Sequence, residues 1–232
     1  MTGRVHSLQS LGAVDGPGIR YVVFMQGCPL RCACCHNPDT WDFDGGVEYT
    51  PDEIAEKVMK YRDYFGNDGG ITVSGGEPLI QAEFVCELFD LCHRNGINTC
   101  LDTSGCILND EVMRLLEVTD RVLLDVKYTD CDGYDKYVGA SYEKVISFLE
   151  YLDKKGIPTT LRQVTIPTLN DDEENLKRLS AIAKKYNCVD KVELLPFRKI
   201  CQMKYDKMGI EFPLAHIPEP DKTTMEKLNG LI

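Results

Sequence analysis

The sequence predicts an α/β fold in which six βα units form an open, partial (β/α)6 TIM-like barrel over a single domain of residues 1–232. Short apolar runs alternate with amphipathic segments from residue 19 onward, which is typical of repeated βα units around a parallel sheet. Charged residues, cysteines and glycines follow the ends of these runs, where barrel enzymes collect their functional groups. Six units are too few to close a barrel of eight, and a doubly wound sheet is the alternative architecture.

Six segments have the length and apolar content of buried strands, with polar residues or glycine at their ends. They are Ile19–Phe24, Ile71–Ser74, Asn98–Asp102, Arg121–Lys127, Thr159–Val164 and Lys191–Leu195. In a barrel each strand is followed by a helix on the outside, so helices are expected between these segments.

The first predicted helix opens with Thr50-Pro51-Asp52-Glu53, a capping box with proline at the first helical position. The second runs from Ala82 to Asn95 and stops at Gly96, because glycine readily adopts the left-handed conformation that ends a helix. The remaining predicted helices are Asp110–Glu117, Ser141–Lys155, Asp171–Tyr186 and Lys222–Leu228.

The composition restricts the class of protein and of partner. The 232 residues are 43% hydrophobic and carry a net charge of −11, which opposes nucleic-acid binding because such proteins present basic surfaces to phosphates. No signal-peptide run opens the chain and no stretch of about 18 apolar residues occurs, so we expect a cytoplasmic protein without a membrane partner. The odd number of cysteines, 11, favours a reducing compartment over disulfides.

Three cysteines have a spacing that indicates a cluster. Cys28, Cys32 and Cys35 lie on the loop after the first predicted strand, where three thiolates can converge on one iron–sulfur cluster. A [4Fe–4S] cluster usually takes four cysteines, so three ligands leave one iron open to a substrate or cofactor. A structural zinc site with Cys34 or His36 as the fourth ligand is the alternative. The other cysteines are expected to be small buried hydrophobes: Cys86, Cys92, Cys100, Cys106, Cys131, Cys188 and Cys201.

A Gly-Gly-Glu-Pro loop follows the second predicted strand, as Ser74-Gly75-Gly76-Glu77-Pro78. Further motifs occur in order: Asp15-Gly16-Pro17-Gly18-Ile19-Arg20, Gln26-Gly27-Cys28, Cys35-His36-Asn37, Asp39-Thr40-Trp41, Leu101-Asp102-Thr103, Leu124-Asp125-Val126-Lys127 and Glu193-Leu194-Leu195-Pro196. With the three cysteines, this ordered set resembles the radical S-adenosylmethionine (radical SAM) superfamily and, more narrowly, its pyruvate formate-lyase activating enzymes. The resemblance covers nearly the whole chain and implies the radical SAM fold, a full or partial (β/α) barrel.

The resemblance implies an enzyme that binds a [4Fe–4S] cluster and S-adenosylmethionine and cleaves the latter reductively to a 5′-deoxyadenosyl radical. In the family this radical abstracts a hydrogen atom from a glycine, so the implied partner is pyruvate formate-lyase or a related glycyl radical enzyme. A flavodoxin or ferredoxin is expected as the reductant, through a local basic patch, and the chain is expected to be a monomer. An activase of another glycyl radical enzyme and an iron–sulfur electron carrier are the alternatives.

The resemblance also implies which residues bind the cofactor. Those of the glycine loop are Gly75, Gly76 and Glu77, and the two glycines let the backbone approach the methionine amino group. Asp102 and Asp125 end neighbouring predicted strands, and two carboxylates brought together need a cation or a proton. In the family they form, with Thr103, a monovalent-cation site beside the methionine carboxylate.

The remaining candidate residues are polar or charged. Lys127 and Arg162 lie at predicted strand ends, where a positive charge can hold a carboxylate or the ribose. The residues that resemble positions facing the partner's glycine loop or the nucleoside are Asp15, His36 and Asn37. Cys34, next to Cys35 and His36 at the cofactor, stands where the family typically has an aromatic residue that touches the adenine. Arg198 stands where the family often has histidine, and its guanidinium can stack on a base.

Overall fold

The computed structural model describes residues 1–232 and divides the chain into two compact units. The first unit consists of Met1–Pro29 and Thr40–Leu123, and the second of Leu30–Asp39 and Leu124–Ile232. The second unit therefore includes, besides the carboxyl-terminal half of the chain, the short segment that follows Cys28. The single domain of residues 1–232 stays a prediction.

The first unit is built on five strands, namely β1 (Gly3–Gly12), β2 (Arg20–Met25), β3 (Val47–Tyr49), β4 (Gly70–Gly75) and β5 (Asn98–Thr103). Their order in the sheet is β3-β1-β2-β4-β5, with β1 antiparallel to its two neighbours and β2, β4 and β5 parallel. Its helices are α1 (Pro51–Met59), α2 (Ala82–Arg94) and α3 (Asp110–Glu117). Helix α2 contacts both α1 and α3, and all three bury an apolar face.

Strand β6 (Arg121–Asp125) contains the point at which the chain passes into the second unit. That unit contains helices α4 (Cys131–Tyr137), α5 (Tyr142–Lys155), α6 (Glu173–Lys185), α7 (Gln202–Met208) and α8 (Lys222–Asn229), and strands β7 (Thr159–Thr165) and β8 (Val189–Pro196). Strands β7 and β8 are parallel. None of the helices combines the length and the apolar character that crossing a bilayer requires.

All six predicted strands and all six predicted helices are found, with bounds that differ by at most about two residues. The sequence analysis missed β1, β3, α4 and α7. Strand β1 is half exposed and polar on its outer face, and β3 has only three residues. Helices α4 and α7 have seven residues each, too few to show a clear helical period.

The predicted helix signals are confirmed in atomic detail. The Thr50 hydroxyl accepts a hydrogen bond from the Glu53 amide at 3.3 Å, and the Glu53 carboxylate accepts one from the Thr50 amide at 2.8 Å. Gly96, after α2, has a φ of 68°, the left-handed conformation expected at a helix end. The start of α1 and the end of α2 therefore follow from local capping chemistry.

Arg20, the first residue of β2, is completely buried and organises the starts of the parallel strands. Its guanidinium donates to the carbonyls of Asp68 at 3.0 Å and Ile71 at 2.6 Å. It also donates to the side chains of Thr72 at 3.0 Å and Asn98 at 2.9 Å. These acceptors lie at or near the first residues of β4 and β5, so one side chain from β2 satisfies polar groups at the starts of two other strands. Burial lowers the pKa of Arg20 below its usual value.

We expect Arg20→Met to lower the free energy of unfolding by about 3 kcal/mol or more, because several buried acceptors lose their donor. Arg94→Met is the control, since Arg94 is exposed and pairs only with Asp90 one turn away, so its loss is expected to be about 0.5 kcal/mol or less. Equilibrium urea denaturation measures both. Equal losses in the two variants would contradict the role given to Arg20.

Candidate active site

The glycine loop after β4 is pressed against the end of β2. The amide of Gly76 donates to the carbonyl of Met25 at 2.9 Å, and the amide of Glu77 donates to the carbonyl of Gly27 at 2.9 Å. A Cβ on Gly75 would lie 2.4 Å from the Met25 nitrogen, and one on Gly76 would lie 2.1 Å from the Gly27 oxygen. Glycine is therefore required at both positions, because a side chain would clash with the backbone that precedes Cys28.

Glu77 connects this loop to the end of β5. Its carboxylate is buried and accepts hydrogen bonds from the Thr103 hydroxyl at 2.6 Å, from the amide of Ser104 at 3.0 Å and from the Ser104 hydroxyl. It also accepts one from the amide of Leu79 at 3.1 Å. Burial raises the pKa of Glu77, while these donors act in the opposite direction. The carboxylate predicted at the cofactor thus fixes the loop to its neighbouring strand.

Asp102 and Asp15 contact β4 of the first unit at different positions along the strand. The Asp102 carboxylate, near the end of β5, accepts a hydrogen bond from the Ser74 hydroxyl at 2.7 Å. The carbonyl of Asp15 accepts one from the hydroxyl of Thr72, two residues earlier on β4, at 2.7 Å. Cys106 follows β5, and burial raises the pKa of its thiol to about 12. The first unit therefore brings Ser74 and Asp102 together at the strand ends, with Asp15 nearer the strand starts.

In the second unit, segment 30–39 forms a loop that two short helices hold; we call it the cysteine loop. Its amides at Arg31 and Ala33 donate to the carbonyls of Val138 at 3.3 Å and Tyr137 at 2.8 Å, at the end of α4. On α7, the Tyr205 hydroxyl donates to the carbonyl of Cys35 at 3.3 Å. The backbone around the cysteines is therefore anchored to both helices that the sequence analysis missed.

Side chains of the cysteine loop are hydrogen-bonded to α7 and to the segment just before it. The ring nitrogen Nε2 of His36 lies 3.0 Å from the carbonyl of Arg198; a carbonyl only accepts, so Nε2 carries the proton. Burial lowers the pKa of His36 and favours the neutral ring. The Lys204 ammonium donates to Asn37 at 2.8 Å and to Asp39 at 2.9 Å.

Asp125, at the end of β6, forms a compact charge cluster with Lys127, two residues later, and with Arg162 in the middle of β7. The Lys127 ammonium donates to the Asp125 carboxylate, and the Arg162 Nε lies 3.9 Å from it. Burial acts to raise the pKa of Asp125, but the two cations outweigh it and hold this pKa below its usual value. Burial also opposes the charge of Lys127, yet Asp125 raises its pKa well above the usual range. The cluster is therefore fully charged at neutral pH.

The donors around the cysteine loop suit an iron–sulfur cluster. The eleven cysteines form no disulfide, and no set of three or more His, Cys, Asp or Glu side chains is arranged as a metal site. The fit therefore rests on chemistry: Cys32 and Cys35 are partly accessible thiols on an anchored loop, and Lys127 is close enough to Cys32 for their charges to interact. A neighbouring ammonium favours the thiolate form that binds iron.

The sequence profile of the Radical SAM superfamily matches residues 22–179. The chain is 44% identical over 227 residues to the pyruvate formate-lyase-activating enzyme of Clostridium pasteurianum, across 97% of this chain and 95% of the relative. It belongs to the family of pyruvate formate-lyase-activating enzymes. A second member, the pyruvate formate-lyase 1-activating enzyme of Escherichia coli (strain K12), is 42% identical over 233 residues, across 99% of this chain and 95% of the relative.

Solved structures agree with this membership at the level of the fold. A domain of pyruvate-formate lyase-activating enzyme from Bacteroides vulgatus ATCC 8482 has a TM-score of 0.58 at 20% identity, over 70% of this chain and 92% of that chain. Streptococcus suis SuiB bound to precursor peptide SuiA has a TM-score of 0.70 at 15% identity, over 90% of this chain and 44% of that chain. The predicted α/β fold of partial-barrel type with an open parallel sheet is confirmed.

The activating-enzyme family uses a [4Fe–4S] cluster and S-adenosylmethionine, so the predicted enzyme class and these two cofactors are confirmed. The structure groups the predicted residues in two sets. The glycine loop and Asp102 belong to the first unit, and the cysteine loop and the charge cluster to the second. The supporting residues that sequence reasoning missed are Ser104, Tyr137, Lys204 and Tyr205. Of the two helices concerned, only α4 has a cap signal in its sequence, since the Asp130 side chain accepts a hydrogen bond from the Gly133 amide, whereas α7 begins without a side-chain cap.

We expect Gly76→Ala to lower the free energy of unfolding by about 2 kcal/mol or more and to reduce the iron bound per chain, because the new Cβ displaces the backbone before Cys28. Gly139→Ala is the matched control: Gly139 has a φ of 71° with nothing within 4 Å of the new Cβ, so its cost is about 1 kcal/mol of backbone strain. Urea denaturation and iron analysis measure the two effects. Normal iron uptake by Gly76→Ala would refute the steric argument.

The charge cluster predicts a specific response to acid. Because the pKa of Asp125 is lower in the folded chain than in the unfolded chain, its carboxylate stabilises the fold above the unfolded value of about 3.9, and this contribution is lost as the pH falls through the folded value. We therefore expect the free energy of unfolding of the wild type to decline more steeply below about pH 4 than that of Asp125→Asn. The exposed Asp63→Asn should keep the wild-type slope; a parallel Asp125→Asn curve would contradict the assignment.

Proposed function

We propose that the chain activates pyruvate formate-lyase, or a related glycyl radical enzyme, by generating a glycyl radical in it. The observation that carries the proposal is the anchored cysteine loop, which contains Cys32 and Cys35. This loop follows β2 in the chain, and the glycine loop is hydrogen-bonded to Gly27 just after the end of β2. Its relatives over nearly the whole chain are activating enzymes of pyruvate formate-lyase, which supports the same partner class.

In this proposal Cys28, Cys32 and Cys35 hold the [4Fe–4S] cluster. Once bound, the cluster and S-adenosylmethionine supply the electron and the 5′-deoxyadenosyl radical that removes a glycine hydrogen. The chain itself positions the cluster and S-adenosylmethionine and shields them from water. The hydrogen bonds from Ala33 to α4 and from Tyr205 to Cys35 fix the loop, and rigid support limits the geometries open to a reactive species.

The charged residues are proposed to orient S-adenosylmethionine. Asp102, Thr103 and Asp125 are oxygen donors for a monovalent cation beside the methionine carboxylate, and an O-rich set suits such a hard ion. The Thr103 hydroxyl donates a hydrogen bond to Glu77 and accepts one from the amide of Gly105 at 3.1 Å, which leaves one lone pair of its oxygen for a cation. Lys127 and Arg162, both charged and close to Asp125, hold a carboxylate or the ribose. His36 with a protonated Nε2, together with Asn37 and Asp15, faces the partner or the nucleoside.

Gly75 and Gly76 are further proposed to admit the methionine amino group, and Cys34, Cys35 and Arg198 to border the nucleoside. The finer cellular setting also belongs to the proposal: a monomer in the cytoplasm, reduced by a flavodoxin or ferredoxin. The eleven cysteines without a disulfide support a reducing compartment.

We expect alanine at any one of Cys28, Cys32 or Cys35 to reduce dithionite-driven cleavage of S-adenosylmethionine to background, because an incomplete ligand set loses the cluster. Cys86→Ala is the control, since Cys86 is a partly buried thiol on α2 and should keep both iron content and cleavage. Iron and sulfide analysis and release of 5′-deoxyadenosine measure the outcome. An equal loss of iron and of cleavage activity in all four variants would contradict the ligand assignment.

The partner is tested by electron paramagnetic resonance of the reconstituted, reduced protein mixed with S-adenosylmethionine and pyruvate formate-lyase. A glycyl radical signal with release of 5′-deoxyadenosine supports the activase. Cleavage without a glycyl radical would keep the radical chemistry and exclude this partner, and a cluster without any cleavage would favour the electron carrier.

A further inference from the structure

A lysine on α7 holds the part of the cysteine loop that follows Cys35. The Lys204 ammonium donates a hydrogen bond to Oδ1 of Asn37 at 2.8 Å and another to the carboxylate of Asp39 at 2.9 Å. Asp39 supplies the opposite charge that a partly buried ammonium requires. The neutral amide of Asn37 is not needed for that purpose, so its contact with Lys204 calls for a separate explanation.

The helix that carries Lys204 is firmly packed. Tyr205, the next residue, is completely buried, and its ring centroid lies 4.8 Å from that of Phe212. Phe212 in turn stacks on Phe197, with centroids 6.1 Å apart. The Tyr205 hydroxyl donates to the carbonyl of Cys35, so α7 and the cysteine loop are also joined through the loop backbone. The Lys204 side chain therefore extends from a fixed backbone toward a fixed loop.

The contact with Lys204 determines which end of the Asn37 amide faces α7. An ammonium carries donors only, so the amide atom that it contacts is the oxygen. The amide group is planar, with its oxygen and its nitrogen at opposite ends, so Nδ2 and its two donors are turned away from Lys204. Asn37 therefore presents donor hydrogens, rather than an acceptor, on the side away from Lys204.

We propose that Lys204 is a positioning residue, which fixes the Asn37 amide so that Nδ2 donates a hydrogen bond to an acceptor atom of the bound reactants. The inference rests on the proposed function, in which Asn37 faces the nucleoside or the partner. Both offer the same chemistry, because ring nitrogens and ribose oxygens of a nucleoside are acceptors, and so is a peptide carbonyl of the partner. Without Lys204 the amide can turn over and present its oxygen instead.

The expected effect concerns the reaction and not cluster binding. The hydrogen bonds that anchor the loop at Ala33 and Cys35 do not involve Lys204, so iron uptake should survive its loss. A misplacement of about 1 Å in a positioned group can reduce a rate by about a hundredfold, and an inverted amide is an error of this kind. We therefore expect a loss of about tenfold or more in the step that Asn37 serves.

The first test compares Lys204→Met with Lys207→Met in cluster-loaded protein. Lys207 is the control, because it is exposed and lies three residues later on the same helix. Dithionite-driven cleavage of S-adenosylmethionine without a partner is measured first, and the KM for pyruvate formate-lyase second. A loss of cleavage in Lys204→Met alone assigns the acceptor to the nucleoside, and normal cleavage with a raised KM assigns it to the partner.

Wild-type rates in both steps, or a loss of iron from Lys204→Met, would overturn the inference. Wild-type protein that binds a cluster but cleaves no S-adenosylmethionine would instead refute the proposed function, so the two failures are distinguishable.

A double-mutant cycle tests whether Lys204 acts through Asn37 or through Asp39. In an Asn37→Ala background, Lys204→Met should cause no further loss, since two residues that act through one contact are not additive. The unpaired Asp39 is present in both backgrounds, so an effect that runs through Asp39 would persist. A further loss of the full size would therefore overturn the inference.

Asn37→Asp tests the donor itself. The carboxylate keeps an acceptor for Lys204 but has no donor of its own, so the contact with α7 is retained while the proposed hydrogen bond to the reactants is lost. We expect this variant to take up iron like the wild type and to lose as much activity as Asn37→Ala. Wild-type activity in Asn37→Asp would exclude the donor role and overturn the inference.

Discussion

The contact on which the first unit depends is the backbone approach of Gly75 and Gly76 to residues 25–27. Two amides of the glycine loop are hydrogen-bonded there, and the positions of both missing Cβ atoms are filled by backbone. No side chain can be tolerated where another backbone lies about 2 Å away, so the sequence has little choice at these two positions. The same contact fixes the backbone just before Cys28.

Glu77 extends that constraint from β2 to β5. Its carboxylate accepts hydrogen bonds from its own loop and, at the end of β5, from Thr103, Ser104 and Cys106. Its amide donates to Gly27 just after β2, so this one residue connects the ends of three neighbouring strands. At the opposite ends of the same strands Arg20 performs the complementary task with carbonyl acceptors. Two buried ionisable side chains thus connect the parallel strands at either end, and each is acceptable only because its polar atoms are satisfied.

The elements with regular patterns were predictable from sequence, and the short supports were not. The six predicted strands were found because their apolar runs are bounded by polar residues. Helix α1 was found because Thr50 and Glu53 form the capping box at its start. Helices α4 and α7 were not predicted, because each has only seven residues and neither shows a long apolar period. The role of Glu77 at the cofactor stays a prediction, and its hydrogen bonds with Thr103 and Ser104 depend on tertiary contacts that spacing does not reveal.

Cys34 bears on the proposed nucleoside site. The family typically has an aromatic residue here, and in this chain the side chain is a small buried thiol. Aromatic surface is nevertheless present beside the cysteine loop, because Tyr137 is bonded to Ala33 and stacks on Tyr128. Arg198 keeps its guanidinium edge on Glu219 at 2.9 Å, and an in-plane ion pair leaves the guanidinium face open for stacking. These two rings do not replace a ring at position 34, because Tyr128 is buried and stacks on Tyr137, while the Lys136 ammonium lies over the Tyr137 ring at 4.9 Å from its centroid. Of the groups named here, the guanidinium of Arg198 is therefore the one suited to stacking on a base.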